Sequence, residues 1–165
     1  MSRIAQLLYL MLPAYLANMT PPFTRFWHGW NTPVNERWLG SHKTVVGALA
    51  GILVAVAAAF VQSRIDWTGS VVDYGEWPVV GLLLGIGAIG GDIVKSFFKR
   101  RMKIAPGGRW IPADQLDFGV GALILISILT QLSWVDIAEI LVITFAGDIL
   151  INQIAFRLHI RDTAW

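Results

Sequence analysis

Charge is missing from long stretches of this chain, and that pattern limits the possible folds more than any other feature. Ile4 to Thr24, Thr44 to Ser63, Trp77 to Gly91 and Phe118 to Val135 carry no ionisable charge. A fifth apolar run, from Val135 to Phe156, holds Asp136, Glu139 and Asp148. A helix that crosses a ~30 Å hydrocarbon layer needs about 20 predominantly apolar residues. Four or five such runs in 165 residues leave too little polar sequence to cover them in water. The chain is 55% hydrophobic and 15% charged, with mean hydropathy +0.59, whereas soluble domains carry about 25% charged residues.

The expectation is an all-α integral membrane protein. It forms a single polytopic domain over 1–165, with about five transmembrane helices near 3–19, 44–62, 77–95, 116–133 and 135–156 and two basic loops, 20–43 and 96–115. The first run could instead be a signal peptide, since Arg3 precedes it and Ala14 and Ala17 are small. A lone arginine and an apolar run that continues through Asn18 to Pro22 favour a resident helix.

Charge placement orients the bundle. Arg25, Arg37 and Lys43 lie between the first two helices. Lys95, Lys99, Arg100, Arg101, Lys103 and Arg109 lie between the third and fourth, and Arg157 and Arg161 follow the fifth. With five helices these share one face, leaving Arg3 and Arg64 opposite, beside Asp66, Asp73, Glu76 and Asp136. Basic residues are retained in the cytoplasm during insertion, so the N-terminus is expected outside and the C-terminus inside. Trp27, Trp30, Trp38, Trp67, Trp77, Trp110, Trp134 and Trp165 all fall in loops or at helix ends, as interfacial anchors do. Gly47 with Gly51, Gly81 with Gly85 and Gly87 with Gly91 repeat at four-residue spacing, which lets helices approach closely.

Acidic groups at membrane depth are costly and mark candidate sites. Asp92, Ser96 and Lys99 fall on one helical stripe, flanked by Lys95, Arg100 and Arg101. Pro106-Gly107-Gly108 then turns the chain, and Asp114 and Asp117, three apart, open the next helix on one side. One hairpin therefore brings three carboxylates and a group of cations to the membrane boundary. Carboxylates are the ligands hard Mg²⁺ prefers, completed by phosphate and water, and the cations suit a polyphosphate. The pattern reads as a Mg²⁺-nucleotide or Mg²⁺-pyrophosphate site facing a lipid. A basic loop is also ordinary membrane anchoring, and Asp114 could be a helix cap; Asp92 and Asp117, inside the apolar boundary, suit those readings less well.

Other chemistries are excluded or unmatched. The chain has no cysteine, so disulfides, thiolate metal sites and cysteine nucleophiles are absent. Its net charge of +2 gives no footprint for nucleic acid. His28, His42 and His159 are too dispersed for a metal motif, and neither a Walker lysine loop nor a GxSxG element occurs. After Asp117 comes Phe118-Gly119-Val120-Gly121, which does not match the acidic motif of the CDP-alcohol phosphotransferases.

From Gly91 to Phe118, GDIVKSFFKRRMKIAPGGRWIPADQLDF resembles the signature of CDP-archaeol synthase, within the CTP:phosphatidate cytidylyltransferase superfamily. LPAYLANMTPP near the N-terminus and LGSHKTVVGALAG, Leu39 to Gly51, are similar to further family blocks, and Asn152 and Trp165 match its C-terminal end. The chain departs from the family at Ser41, where Asp is common, at Asn35, near another expected Asp, at Asp148, where His is expected, and at Ala164, in place of proline. Ile104 stands where the bacterial phosphatidate enzymes carry Asp.

The resemblance implies a membrane cytidylyltransferase of phospholipid biosynthesis. It joins CTP to a lipid phosphomonoester, giving a CDP-lipid and pyrophosphate with Mg²⁺ as cofactor. By the same resemblance, Asp92, Asp114 and Asp117 are metal ligands and Lys99 and Arg100 bind the triphosphate, with Ser96 as hydrogen-bonding partner. Lys43 and Thr44 supply a second phosphate contact, and Asn18 lines the same cavity. The acceptor is a diether of glycerol 1-phosphate in the named family and diacylglycerol 3-phosphate in the wider superfamily. A homodimer is expected from exposed glycine faces and superfamily precedent. The competing reading is a small transporter or interaction subunit whose ion path uses Asp92, Glu139 and Asp148.

Overall fold

Helix starts follow capping chemistry. Ser2 accepts from the Ala5 amide at 3.4 Å and opens α1 (Arg3–Met19). Asn35 accepts from Trp38 at 3.0 Å and opens α2 (Glu36–Leu39), a single turn. Thr44 accepts from Gly47 at 3.1 Å and opens α3 (Val45–Ile65). α4 (Trp77–Arg101) carries proline in its first turn, where the missing N–H is harmless. α5 (Ala113–Ile126) follows Pro112. α6 (Trp134–Arg157) begins with a capping box between Ser133 and Asp136. The structure, a computed structural model, describes residues 2–26, 29–40, 43–105 and 108–159. Trp27, His28, Ser41, His42, Pro106, Gly107, Arg161, Ala164 and Trp165 lie outside the described residues.

Among the described residues the five long helices fall on the five apolar runs, with no β-strand beyond an isolated bridge from Pro33 to Thr44. Two boundaries differ from the sequence expectation. α4 continues past 95 to Arg101, so Ser96, Lys99 and Arg100 stand on a helix rather than in a 96–115 loop. α5 runs from Ala113 to Ile126 instead of 116–133. There the Ser127 hydroxyl turns back onto the Ile124 carbonyl at 2.7 Å, the Thr130 amide closes on Ile126 at 3.2 Å, and Ser133 starts the next helix. Hydropathy cannot register that stop, because Ile128 and Leu129 are as apolar as the helix before them.

Two segments, Val45–Ile65 and Tyr74–Arg101, are long and apolar enough to cross a membrane by length and composition. α1 has 17 residues and α5 has 14, below the ~20 that a full crossing takes. The exterior is apolar as well: Leu53 is 67% exposed, Ile124 63% and Val142 69%. Water would not tolerate such a surface over the whole bundle, whereas lipid covers it.

The run at the N-terminus is an integral part of the bundle. Leu7, Leu10, Met11, Ala14 and Ala17 of α1 are fully or almost fully buried, packed with Ala55, Ala59, Val80, Leu84, Ala88, Phe118 and Ile140. Polar ties hold α1 in place. Gln62 donates to the Tyr9 carbonyl at 2.6 Å, Tyr15 bonds Thr144 at 3.0 Å, and Arg3 grips Asp136 with two bonds of 2.7 and 2.8 Å.

Glycines set the spacing around α4. A Cβ at Gly81 or Gly85 would press on the α3 backbone at Val56 or Ile52. One at Gly87 or Gly91 would meet the α5 backbone at Ala122 or Asp117. Two helix faces of one element are thus held at backbone contact, the close approach that small residues permit in lipid.

Candidate active site at the basic end of the bundle

The tight α4–α5 contact brings together the carboxylates that the sequence separates. Gly91 lies against Asp117, so the next residue, Asp92, faces the start of α5. Between them stands Lys95, whose Nζ lies 3.0 Å from Asp92 Oδ1, 2.8 Å from Asp117 Oδ2 and 3.5 Å from Asp114 Oδ1. One turn on, Lys99 Nζ donates to both Asp114 oxygens, at 2.7 and 2.9 Å, and to the Gly108 carbonyl at 2.6 Å. The Trp110 amide donates to Asp114 Oδ2 at 2.7 Å. Asp114 therefore pins the loop behind it and does not cap α5, whose first turn has no side-chain cap bond.

Lys43 reaches the cluster from the other loop. The Val34 amide donates to the Lys43 carbonyl at 2.7 Å beside the Pro33–Thr44 bridge. Trp38 of α2 meets Phe97 of α4 edge to face, with ring centroids 6.2 Å apart. Anchored this way, the Lys43 ammonium pairs with Asp92 Oδ2. Three carboxylates and three ammonium groups (Lys43, Lys95, Lys99) form one balanced network, with the Asp117 side chain only 5% exposed. Removing one member would leave its partner charged in a poorly solvated place, which is costly.

The other sequence candidates take supporting positions. Ser96 is buried and donates to the Asp92 carbonyl at 2.7 Å, so its hydroxyl braces the helix. Thr44 spends its hydroxyl on capping α3 beside Lys43. The structure does not bring Arg100 into the carboxylate network: its guanidinium donates to the Ala105 carbonyl at 3.3 Å, and its buried Nε has no hydrogen-bond partner among the described residues. The physical reason is helix rotation, which turns Arg100 away from the stripe of Asp92, Lys95 and Lys99. Asn18 sits half-buried in the last turn of α1, at the same end, with no hydrogen bond to the network among the described residues. Asp148 bonds Asn152 at 2.8 Å along α6.

Sequence reasoning missed the centre. Lys95 counts there as a flanking cation, yet it touches all three carboxylates. Its spacing of three from Asp92 and four to Lys99 is the signal that could have found it. Gln115 is buried as well, and its Oε1 has no hydrogen-bond partner among the described residues.

Among the described residues no three acidic or imidazole side chains are arranged as a metal site. The donor chemistry nevertheless suits a divalent cation. Asp92, Asp114 and Asp117 converge on one point of positive charge, and the group at that point is the Lys95 ammonium. Hard carboxylate oxygens of this kind fit Mg²⁺, which binds through one or two carboxylates plus phosphate and water.

Beside the network, the outer faces of the closely packed α4 and α5 leave a groove of about 530 Å³. Ile86, Gly90 and Val94 line it from α4, and Val120 and Ile124 from α5. Lys95 and Asp117 are its charged residues, toward the basic end. A polar network thus adjoins an apolar channel.

Known proteins share this architecture. The family model described as CarS-like, CDP-archaeol synthase, matches residues 1–165. The CDP-archaeol synthase of Methanospirillum hungatei is 34% identical, over 94% of this chain and 100% of its own length. That of Methanocaldococcus jannaschii is 33% identical, over 96% and 95%. A solved structure described as "Structural insight into an intramembrane enzyme for archaeal membrane lipids biosynthesis" superposes with a TM-score of 0.77 at 29% identity, covering 91% of this chain and 94% of that one.

Proposed function

Because the chain belongs to the CDP-archaeol synthase family of CTP-using membrane enzymes, we propose that its carboxylate–lysine network transfers a cytidylyl group from CTP to a lipid phosphate. The observation that carries this reading is the convergence of Asp92, Asp114 and Asp117 on Lys95 beside an apolar groove.

The acceptor phosphate has a second pKa of about 6, so it is largely a dianion at neutral pH and needs no general base. One of its oxygens bonds to the α-phosphorus of CTP while the bond from that phosphorus to the bridging oxygen breaks, releasing pyrophosphate. The protein's work is positioning and charge compensation. Lys43 and Lys99, each paired with a carboxylate in the network, bind triphosphate oxygens. Lys95, which shares the wall of the groove, neutralises the acceptor. Gln115 and Arg100 offer buried polar atoms without partners for further contacts. A divalent cation, Mg²⁺ in this reading, would be held by Asp92, Asp114 and Asp117 and would offset charge developing on the pyrophosphate. The basic loops put this end on the cytoplasmic side. The acceptor that the family name points to is a diether glycerol phosphate. An ion path through Asp92, Glu139 and Asp148 is not favoured, since the family is enzymatic.

Nucleotide dependence tests the proposal. In detergent, Mg²⁺-CTP should raise the melting temperature while ATP and GTP do not. Pyrophosphate release should require a lipid phosphomonoester, and a diether glycerol 1-phosphate should outpace diacylglycerol 3-phosphate. Equal responses to all three nucleotides, or release without a lipid acceptor, would overturn it.

A further inference from the structure

Four glycines of α4 have a packing reason: Gly81 and Gly85 abut α3, and Gly87 and Gly91 abut α5. Gly90 has none, because a Cβ there would meet nothing within 4 Å. Glycine in a helix interior is disfavoured relative to alanine, so neither packing nor helix propensity accounts for it. Its position does. Ile86, Gly90 and Val94 follow at four-residue spacing, which stacks them in one row, and all three line the groove between α4 and α5. The absent side chain keeps the channel open between its two branched neighbours.

We infer that Gly90 sets the width of the channel that receives the acceptor's hydrocarbon chain, and thereby selects among acceptor chains. The inference rests on the cytidylyltransferase reading of the adjoining network. The groove itself argues for this occupant. Its volume of about 530 Å³ falls within the ~300–1,000 Å³ of ligand pockets. Its lining is apolar except at Lys95 and Asp117, which belong to the network. A molecule with a hydrocarbon chain and an anionic phosphate is matched at both places at once. A nucleotide would leave the apolar row unused, and a helix from another protein would bring no phosphate to Lys95.

The test is a graded series, Gly90→Ala, Gly90→Val and Gly90→Leu, in the purified full-length protein. Stabilisation by Mg²⁺-CTP should match the parent throughout, and the alanine variant should melt no lower. The acceptor KM should climb along the series, reaching about tenfold or more at leucine, the scale on which apolar pockets discriminate bulk. Methyl-branched acceptors should suffer more than straight-chain ones. Gly147→Leu is the control, because a Cβ at Gly147 also meets nothing within 4 Å but that residue does not line the groove; its acceptor KM should stay at the parent value. Native mass spectrometry with added dialkylglycerol phosphate reads the groove without turnover: the parent should retain the lipid and Gly90→Leu should not. Unchanged acceptor KM and undiminished lipid retention in Gly90→Leu would overturn the inference. If the parent releases no pyrophosphate with any acceptor, the cytidylyltransferase reading fails, and lipid retention still decides Gly90: loss in the leucine variant supports the channel, and retention refutes it.

Discussion

Lys95 holds a place that three carboxylates define. Its ammonium pairs with Asp92, Asp114 and Asp117. In the proposed reaction those carboxylates would hold a divalent cation, and the lysines would bind phosphate oxygens. Asp92→Asn and Asp117→Asn should each cut CTP-dependent pyrophosphate release by at least about 100-fold, the scale of losing a preorganised electrostatic group. Size-exclusion profiles should stay those of a folded protein, and turnover near the parent rate would sink the ligand assignment. Lys99→Ala removes a charged phosphate contact worth roughly tenfold or more. It should raise the KM for CTP while leaving that for the lipid nearly fixed, as steady-state kinetics varied in each substrate would show. The stripe of Asp92, Ser96 and Lys99 was legible in the sequence because helical spacing is strict. The centrality of Lys95 was not, since it depends on how closely α5 approaches.

At the scale of the element, residue size does the sorting that hydropathy does in water. Along α3 the buried small residues are Gly47, Gly51, Ala55 and Ala59, while Leu49, Leu53 and Val61 face outward. All are apolar, so hydropathy located the helix but could not say which side faces protein. The four-residue spacing of small residues did carry that information. Gly91→Val should be among the harsher substitutions of this type, because its side chain would push into the α5 backbone at Asp117. Overpacking of this kind costs about 1–3 kcal/mol, so the melting temperature in detergent should fall by roughly 2–4 °C for each kcal/mol. Activity should fall with it, since the displaced residue anchors the carboxylate pair. A Gly91→Val protein as stable as the parent would mean that the α4–α5 contact is looser than described. The early end of α5 was not legible either: it is set by serine hydroxyls and turn hydrogen bonds inside an unbroken apolar run.

For the whole molecule, the distribution of lysine and arginine predicts that both basic loops face the cytoplasm and that Ser70 faces outward. The chain lacks cysteine, so a single introduced thiol reports its own location. A membrane-impermeant maleimide should label Ser70→Cys in intact cells and Arg109→Cys only after permeabilisation. The opposite pattern would invert the proposed orientation and put the site on the wrong side for cytosolic CTP.

The central position of α1 bears on how the bundle is made. α1 leaves the ribosome before the other described helices, yet its buried face is shared among α3, α4, α5 and α6. Its partners at Asp136 and Thr144 belong to α6, which follows all the other described helices in the chain. Until α6 arrives, Arg3 lacks Asp136 and Tyr15 lacks Thr144, whereas Tyr9 can already meet Gln62 of α3. Assembly therefore cannot be completed helix by helix as the chain emerges. Tyr15→Phe, which loses one hydrogen bond of about 1 kcal/mol, should increase the protease-sensitive fraction in newly made chains more than in mature protein, and a pulse–chase measurement would resolve the two.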